Sequence, residues 1–433
     1  MTVKITAANG GSDSLDFGCA RTAIVATVTG TEVSSGEGKL EFKTTTGGTS
    51  ATKMTIVANG TVTFAGGLGG ISVTSLNGGQ LGGRRNIVIN GEMKVAQRSA
   101  SETGLGASSA YATLDRWRTA VGATSAGRFT MAQVADGPAG FANCMKITTT
   151  TADTSIAAGE NLQIVTRFEG QDVQQLQKGT ATAKQVTVSF YVKGNASATY
   201  TCELQDYDNG RSIQQAFAVT TAWNRIELTF AADTSDPFDD DNAGSLGLAF
   251  WLHGGSTYTG GTFSSNAWKD TVDNTRLSDS QTSIFDATSR TFFITGVQME
   301  LGDTATAFEH RSYGEELALC QRYFQQWGGD TAYGFFGGVS SCTTTSTAFH
   351  PILCEVEMRA NPSFAYVGAT NVFDLRNDAN GSHPLTGLAM DQSTRKVVSI
   401  TLTRSNADLT VNVPSQLIGN NSTAGRLQLI AEL

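Results

Sequence analysis

The 433-residue sequence contains little proline, little charge of either sign and no long apolar run. Six prolines exclude a collagen-like chain and a proline-rich linker. Charged residues make up 16% of the chain, the net charge is −9 and no Lys/Arg cluster occurs, so we expect no nucleic-acid partner. No apolar stretch approaches the roughly 18 residues of a spanning helix, so we expect no membrane insertion.

Cysteine is also sparse, and its spacing does not indicate a disulfide framework. The six cysteines show no CxxC pair, which argues against a zinc ribbon or a redox motif. Residues Met1–Ile5 lack the charged start and apolar middle of a signal peptide. We therefore expect free thiols in a protein that is made and folded in a reducing cytoplasm.

Glycine is abundant, and the pattern around it predicts a mainly β protein. The chain has 48 glycines, more than the average share of about 7%. Residues 1–85 contain short alternating segments at Lys39–Lys43, Lys53–Val57 and Thr61–Phe64, and Asn59-Gly60 is a two-residue hairpin signal. Such a narrow ribbon buries too little apolar area alone, which favours an oligomeric shaft, with a small independent meander as the alternative.

Residues 86–311 read as a longer β domain. Eight strand candidates with irregular loops predict a jelly-roll-like β-sandwich. These candidates are Asn86–Gly91, Met145–Thr150, Asn161–Phe168, Gln185–Lys193, Thr199–Leu204, Arg225–Phe230, Leu246–Leu252 and Thr291–Met299.

A connecting helix is predicted within residues 312–327. Ser312 and Glu315 form a capping box, and Leu317, Cys320, Phe324 and Trp327 follow at helical spacing. We expect the helix to run to about Gln326 and to pack either on its own chain or on partner helices. The β pattern then returns in a C-terminal domain, residues 328–433.

Several segments resemble a β-sandwich module of bacteriophage tail fibre proteins. Its opening resembles RNIVINGEMKVAQR (85–98) followed by Asp115-Arg116-Trp117, and its later strands resemble FYVKG (190–194), Trp223-Asn224-Arg225 and ITGVQMELG (294–302). The most specific segment is AFEHRSYGEELALCQRY (307–323), which resembles the part that leads into the fibre tip. Ser99 departs from this pattern, since the resemblance implies glycine there.

The resemblance implies a virion protein, a homotrimer with an N-terminal β-ribbon shaft and a C-terminal β tip. Its N-terminal region would join other phage tail proteins, and its tip would meet a host-surface glycan or protein. Three linked sites convert modest affinity into firm attachment, because later contacts are effectively intramolecular. The implied role is host attachment without catalysis.

The search for catalytic motifs favours binding. None of the four histidines has metal-ligand spacing, and no GxSxG or Walker motif occurs. The adjacent pair Glu315-Glu316 points in directions about 100° apart on a helix, so it does not face one substrate. The alternatives from other classes are a glycan-degrading tailspike-like enzyme and a purely structural tail or decoration protein.

Two loop clusters are candidate sites in the sandwich. Asp236, Asp239, Asp240 and Asp241 lie within six positions, and Ca²⁺ would relieve their repulsion, although solvated loop acids are the alternative. Tyr258 and Trp268 lie in a Gly/Ser/Thr-rich stretch, where aromatic rings can stack on sugars. Trp251 is expected in the core, and His310 is expected to have a structural role.

The C-terminal domain supplies the remaining receptor-binding candidates. They are Tyr333 in the segment 332–337 and Asn380 and His383 in the polar loop 377–383. The alternative for the segment 332–337 is a structural role, because at least one of Phe335 and Phe336 is expected in the core.

Overall fold

The computed structural model describes residues 12–19, 22–34, 37–46, 49–57, 62–64, 84–123, 125–376 and 383–433. The chain divides into two compact units, residues 1–74 and 75–433. The structure is mainly β, as predicted. Among the described residues, no helix is long and apolar enough to cross a membrane.

The first unit contains one antiparallel five-stranded sheet in simple sequential order. Its strands are β1 (Ser12–Cys19), β2 (Thr22–Ser34), β3 (Glu37–Thr46), β4 (Thr49–Val57) and β5 (Val62–Phe64). The three predicted segments therefore lie in β3, β4 and β5. The predicted hairpin turn Asn59-Gly60 lies outside the described residues, but the strands on either side of it pair as expected.

One face of this sheet is apolar because of its register. Phe42 lies opposite Met54, and Leu40 lies opposite Ile56, which in turn lies opposite Val62. Directly opposed residues share a face of an antiparallel sheet. These five side chains remain partly or largely exposed in the single chain. The homotrimer implied by the resemblance is not tested by this arrangement and stays a prediction.

The second unit begins with a β-sandwich of two six-stranded antiparallel sheets. One sheet has the order β16-β13-β12-β15-β10-β7 and the other has the order β14-β11-β17-β9-β8-β6. The strands are β6 (Ser101–Leu105), β7 (Arg118–Gly122), β8 (Arg128–Val134), β9 (Cys144–Thr151), β10 (Asn161–Glu169), β11 (Val186–Gly194), β12 (Ala198–Asp206), β13 (Arg211–Val219), β14 (Asn224–Phe230), β15 (Gly244–Gly254), β16 (Lys269–Asp270) and β17 (Thr291–Leu301). Short helices are α1 (Gly170–Val173) and α2 (Ser256–Thr259), with 3₁₀ turns at Gln174–Leu176 and Asp273–Thr275.

The sandwich core forms where the two sheets face each other. Alternate residues of each strand point inward, and their rings interlock across the layers. The ring centres of Phe190 in β11 and Phe250 in β15 are 4.9 Å apart, and those of Tyr200 in β12 and Phe292 in β17 are 5.5 Å apart. Both pairs meet edge to face. Trp251 is fully buried, as predicted, but on the outer face of its sheet, where Tyr258 and Leu277 cover it.

Seven of the eight predicted sandwich strands are confirmed, and the first is wrong. Asn86–Gly91 forms no strand. The Asn86 amide donates to Val297 O, and its oxygen accepts from the Val88 and Met299 amides. Asparagine side chains thus satisfy backbone groups that a strand ladder would otherwise use. Alternating apolar residues alone do not reveal that competition.

The predicted helix is present but shorter than expected. Helix α3 (Tyr313–Gln321) has the predicted capping box, in which the Ser312 hydroxyl accepts from the Glu315 amide. Its predicted continuation is wrong, because Phe324 and Trp327 lie in β18 (Phe324–Gly328) and pair with a strand about 100 residues later. Strand pairing with a distant segment thus determines the conformation of residues 324–328. The local spacing of apolar residues contains no information about that pairing.

Residues 324–433, here called the C-terminal region, form a second layered β structure. A three-stranded sheet has the order β18-β26-β21, and a six-stranded sheet has the order β22-β25-β19-β20-β24-β23. The strands are β19 (Ser340–Cys342), β20 (Thr347–Leu353), β21 (Ser363–Val367), β22 (Phe373–Arg376), β23 (Gly387–Ser393), β24 (Val397–Thr403), β25 (Pro414–Gly419) and β26 (Arg426–Ile430), with a 3₁₀ turn at Thr370–Val372. The predicted boundaries at residues 85, 311 and 327 stay predictions.

A buried charge network joins the C-terminal region to the sandwich. Arg116 is fully buried, and its Nη1 lies 2.6 Å from Oε2 of Glu432, beside the C-terminal residue. The Arg116 guanidinium also lies 3.5 Å from the Tyr323 ring centre, and the Tyr323 hydroxyl donates to Glu169 at 2.6 Å. Burial by itself raises the pKa of Glu169, but hydrogen bonds from Arg322 and Tyr323 lower that pKa below its usual value.

We expect Glu432→Gln to destabilise the protein by about 3 kcal/mol, because it leaves the buried Arg116 charge without its counter-ion. Chemical denaturation followed by fluorescence measures this. Glu357→Gln is the matched control, since Glu357 pairs with Arg395 at an exposed site, and it should change stability by less than about 0.5 kcal/mol. Equal effects of the two changes would contradict the assigned role of Arg116.

Candidate functional site

The strongest candidate site is a cleft of about 300 Å³ in the C-terminal region. Two segments line it, one directly after β18 and one around the end of β25. Glycine supplies half of the lining, and two phenylalanines and three short polar side chains supply the rest. The lining residues are Gly328, Gly329, Asp330, Thr331, Gly334, Phe335, Phe336, Gly419, Ser422 and Gly425.

The glycines permit both the turn and the close approach of the two segments. Gly328 and Gly329 have φ of +87° and +92°, a backbone region that other residues rarely adopt. A Cβ atom on Gly328 would lie 2.5 Å from Cε1 of Phe336, and one on Gly419 would lie 2.9 Å from Ala332 O. Any larger residue would therefore displace a wall of the cleft.

Backbone hydrogen bonds fix the two segments to each other. Phe336 N donates to Leu417 O at 3.1 Å, and Gly419 N donates to Gly334 O at 2.9 Å. Ser422 N donates to Ala332 O at 2.9 Å. The cleft is thus formed before any ligand arrives, which lowers the entropy cost of binding.

Adjacent phenylalanines take opposite roles at this cleft. Phe336 is buried and packs on Phe373 with ring centres 5.3 Å apart. Phe335 is 66% exposed although it lines the cleft, and Tyr333, two residues earlier, is 51% exposed. The Arg376 guanidinium lies 5.5 Å from the centre of the Tyr333 ring. The predicted residue Tyr333 therefore lies at the surface beside a second exposed ring.

The polar groups of the cleft are available to a ligand. Asp330 and Thr331 are exposed, and their side chains have no hydrogen-bond or ion-pair partner among the described residues. The Ser422 hydroxyl oxygen accepts from Ala424 N at 3.1 Å, which leaves its proton free to donate. Flat rings beside hydroxyl and carboxylate groups are the combination that binds the faces and substituents of a sugar.

The wider surface agrees with a contact role for this region. Among the described residues, thirteen large apolar side chains are exposed, and eight of them lie in the C-terminal region. Single exposed apolar residues are ordinary, so the pair that bears on a contact role is Tyr333 and Phe335, which lie at or beside the cleft.

The other predicted receptor residues are not assembled at this cleft. Tyr258 packs on Trp251 with ring centres 5.1 Å apart, and its hydroxyl accepts from Asn161 at 2.7 Å. Trp268 packs on the main core and donates from Nε1 to Ala231 O at 2.8 Å. These contacts give both rings structural roles, although they leave the receptor-binding prediction untested.

The two remaining candidates lie in the loop that follows β22. Asn380 lies outside the described residues. His383 is 7% exposed, and its backbone amide donates to the Asp374 carboxylate. Its Nδ1 lies 3.6 Å from Oδ2 of Asp408. This burial favours a structural role for His383 over direct contact with a large receptor.

The four aspartates of the acidic loop 236–241 do not form a shared ligand cluster. Asp236, Asp239, Asp240 and Asp241 are all exposed. The Asp241 carboxylate accepts from Ala243 N, whereas Asp236 and Asp239 use backbone carbonyls to hold Lys178 and Gln174. Within the described residues, no group of three or more His, Cys, Asp or Glu side chains is arranged to hold a metal ion. The calcium site stays a prediction.

A second opening, of about 440 Å³, lies beside this loop but is less suited to sugar binding. Its ring, Phe238, is 6% exposed. Its cation, Lys178, is buried and paired with Asp206 at 2.7 Å and with Asp233 at 3.3 Å. Both side chains are therefore already occupied by the protein.

The predicted segment 332–337 includes three lining residues of the cleft, Gly334, Phe335 and Phe336, and Tyr333 lies beside them. The role of this segment in receptor contact stays a prediction. Asp330, Thr331 and Ser422 were missed, because short polar residues in loops are too common to single out. The consecutive glycines at 328 and 329 were the available signal, since such a pair marks an unusual turn.

No protein family matches this sequence, and no curated protein matches it either. Several solved structures show a limited similarity, each with a TM-score below 0.5. One, described as "CBM4 structure and function", is 14% identical with a TM-score of 0.27 and covers 49% of this chain and 97% of its own. The family 11 carbohydrate-binding module of the Clostridium thermocellum cellulase Lic26A-Cel5E is 15% identical, with a TM-score of 0.24 and coverages of 49% and 100%.

The N-terminal cellulose-binding domain of Cellulomonas fimi β-1,4-glucanase C is 14% identical with a TM-score of 0.22. It covers 44% of this chain and 90% of its own. Identities and scores this low do not assign a ligand to this chain.

We expect Gly328→Ala to destabilise the C-terminal region, by roughly 1–3 kcal/mol, because alanine is strained at this φ and its Cβ would clash with Phe336. Thermal denaturation measures the loss. Gly314→Ala is the matched control, since a Cβ there meets nothing within 4 Å, and it should be neutral or slightly stabilising. Wild-type stability of Gly328→Ala would show that the cleft wall is not rigid.

Proposed function

We propose that this chain is a phage tail fibre protein that attaches virions to the host surface by non-catalytic glycan binding at the C-terminal cleft. The observation that carries the proposal is the exposed ring of Phe335 on a preformed, glycine-walled cleft with unpartnered polar groups. Tyr333 extends the same aromatic surface. The phage assignment is supported by the resemblance of residues 85–98 and 307–323 to fibre modules.

Binding fits the cleft better than glycan cleavage does. Hydrolysis of a glycosidic bond ordinarily uses two carboxyl groups roughly 5–9.5 Å apart. The lining residues of the cleft include one acid, Asp330. A single carboxylate can accept hydrogen bonds from sugar hydroxyls but cannot serve as both acid and base or nucleophile.

We expect Phe335→Ala to weaken glycan binding by about fivefold, because an aromatic contact contributes on the order of 1 kcal/mol beyond its buried area. Purified full-length protein would be screened on an array of bacterial surface glycans, and the affinity for the best ligand would be measured by calorimetry. Tyr333→Ala and Asp330→Asn should act in the same direction. All three changes should leave the melting temperature nearly unchanged, since these side chains are exposed.

Leu353→Ala is the matched control, because Leu353 is 67% exposed in the same region but does not line the cleft. Reducing ends of the bound polysaccharide should not increase with time. An increase would favour the tailspike-like enzyme, and the absence of any glycan ligand would favour a purely structural tail protein.

We further propose that the fibre is a homotrimer assembled through the apolar face of the five-stranded sheet. That face carries Leu40, Phe42, Met54 and Ile56 in a single layer, and neighbouring chains would remove it from water. Light scattering should give three times the 45.5 kDa chain mass. Ile56→Lys should reduce this mass, and Thr55→Lys on the opposite face should not. A stable 45.5 kDa wild-type species would contradict the trimer.

A further inference from the structure

The outer face of the sandwich sheet that contains β9, β11 and β17 carries a row of two lysines and a phenylalanine. Lys193 of β11 lies opposite Phe293 of β17, and Phe293 lies opposite Lys146 of β9. The neighbours Phe292 and Ile294 are fully buried in the core, so alternation directs Phe293 outward. None of its three residues lines the cleft of the C-terminal region.

The cations of this row lie close to aromatic rings. The ammonium groups of Lys193 and Lys146 are 4.8 and 5.3 Å from the centre of the Phe293 ring. Lys193 is also 5.1 Å from the centre of the Trp223 ring, which meets Phe293 edge to face at 6.2 Å. Phe293 is only 8% exposed, whereas Trp223 is partly exposed and can contact a ligand.

The charge of the row is only partly neutralised. Asp136 accepts from Lys193 at 2.9 Å through both carboxylate oxygens. Lys146 has no ion-pair partner among the described residues. Asp136 therefore neutralises Lys193, whereas the charge of Lys146 beside the same ring has no counter-ion in the described part of the chain. An anionic group of a ligand would supply that counter-ion and would also be attracted by Lys193.

We propose that Lys146, Lys193 and Trp223 form a second saccharide site that takes an acidic sugar. The carboxylate or phosphate of the ligand lies between the two ammonium groups, and its ring packs on the exposed part of Trp223. A long polyanion such as nucleic acid is disfavoured, because the rest of the chain is acidic. The site is independent of the cleft that contains Phe335.

Calorimetry on the full-length protein tests this site with three probes: tetragalacturonate, a phosphorylated tetrasaccharide and a neutral tetrasaccharide. We expect at least one acidic probe to bind more tightly than the neutral one, with an affinity that falls as salt rises. Binding of only the uronate or only the phosphorylated probe identifies which anion the site recognises. Failure of both acidic probes to bind at millimolar concentration overturns the proposal.

Lys146→Gln and Lys193→Gln should each lower the affinity for the acidic probe about threefold. The double variant should bind acidic and neutral probes with equal affinity. Lys396→Gln is the control, because it removes the same charge from an exposed position in the C-terminal region. Equal affinities of Lys146→Gln and Lys396→Gln overturn the proposal. Phe335→Ala should leave acidic binding unchanged, and a loss in that variant alone would assign the ligand to the cleft instead.

Discussion

Two ion pairs with buried carboxylates, Arg116 with Glu432 and Arg322 with Glu169, are the constraint on which the arrangement of the second unit depends. Their members come from the start of the sandwich, the segment after β26, the end of α3 and the end of β10. A charge removed from water is tolerated only with a partner, so these segments have to meet in one geometry. In that geometry β26 pairs with β18, which follows α3.

This attachment determines where the cleft can form. Once β18 pairs with β26, the chain has to turn sharply at its end, and Gly328 and Gly329 supply the backbone angles. The turn directs residues 330–336 along the end of β25, where backbone hydrogen bonds hold them. Phe336 is then drawn into the core and Phe335 is left outside. The exposed Phe335 ring leaves apolar surface in contact with water, which is unfavourable. A bound sugar would remove that surface from water.

The sandwich offers a different chemistry at its surface. Its interior is filled by aromatic rings that pack against one another. One outer face is covered by residues 255–283, through Tyr258, Arg276 and Leu277. The outer face of the other sheet carries the Lys193–Phe293–Lys146 row, in which the two lysines lie over the Phe293 ring. The aromatic cleft and the lysine row on one chain would allow two different features of a single surface polysaccharide to be bound, and repeated copies would add their contacts.

The sequence alone determined the fold class, seven sandwich strands, the capping box at Ser312 and the strands β3 to β5, because these depend on local alternation and turn chemistry. It did not determine the end of α3, since Phe324 and Trp327 fit a helix until β26 pairs with them. It placed Tyr333 in a candidate segment but could not decide which of Phe335 and Phe336 is exposed. That choice, the walls of the cleft and the lysine row all depend on residues distant in the chain, and only the tertiary structure brings them together.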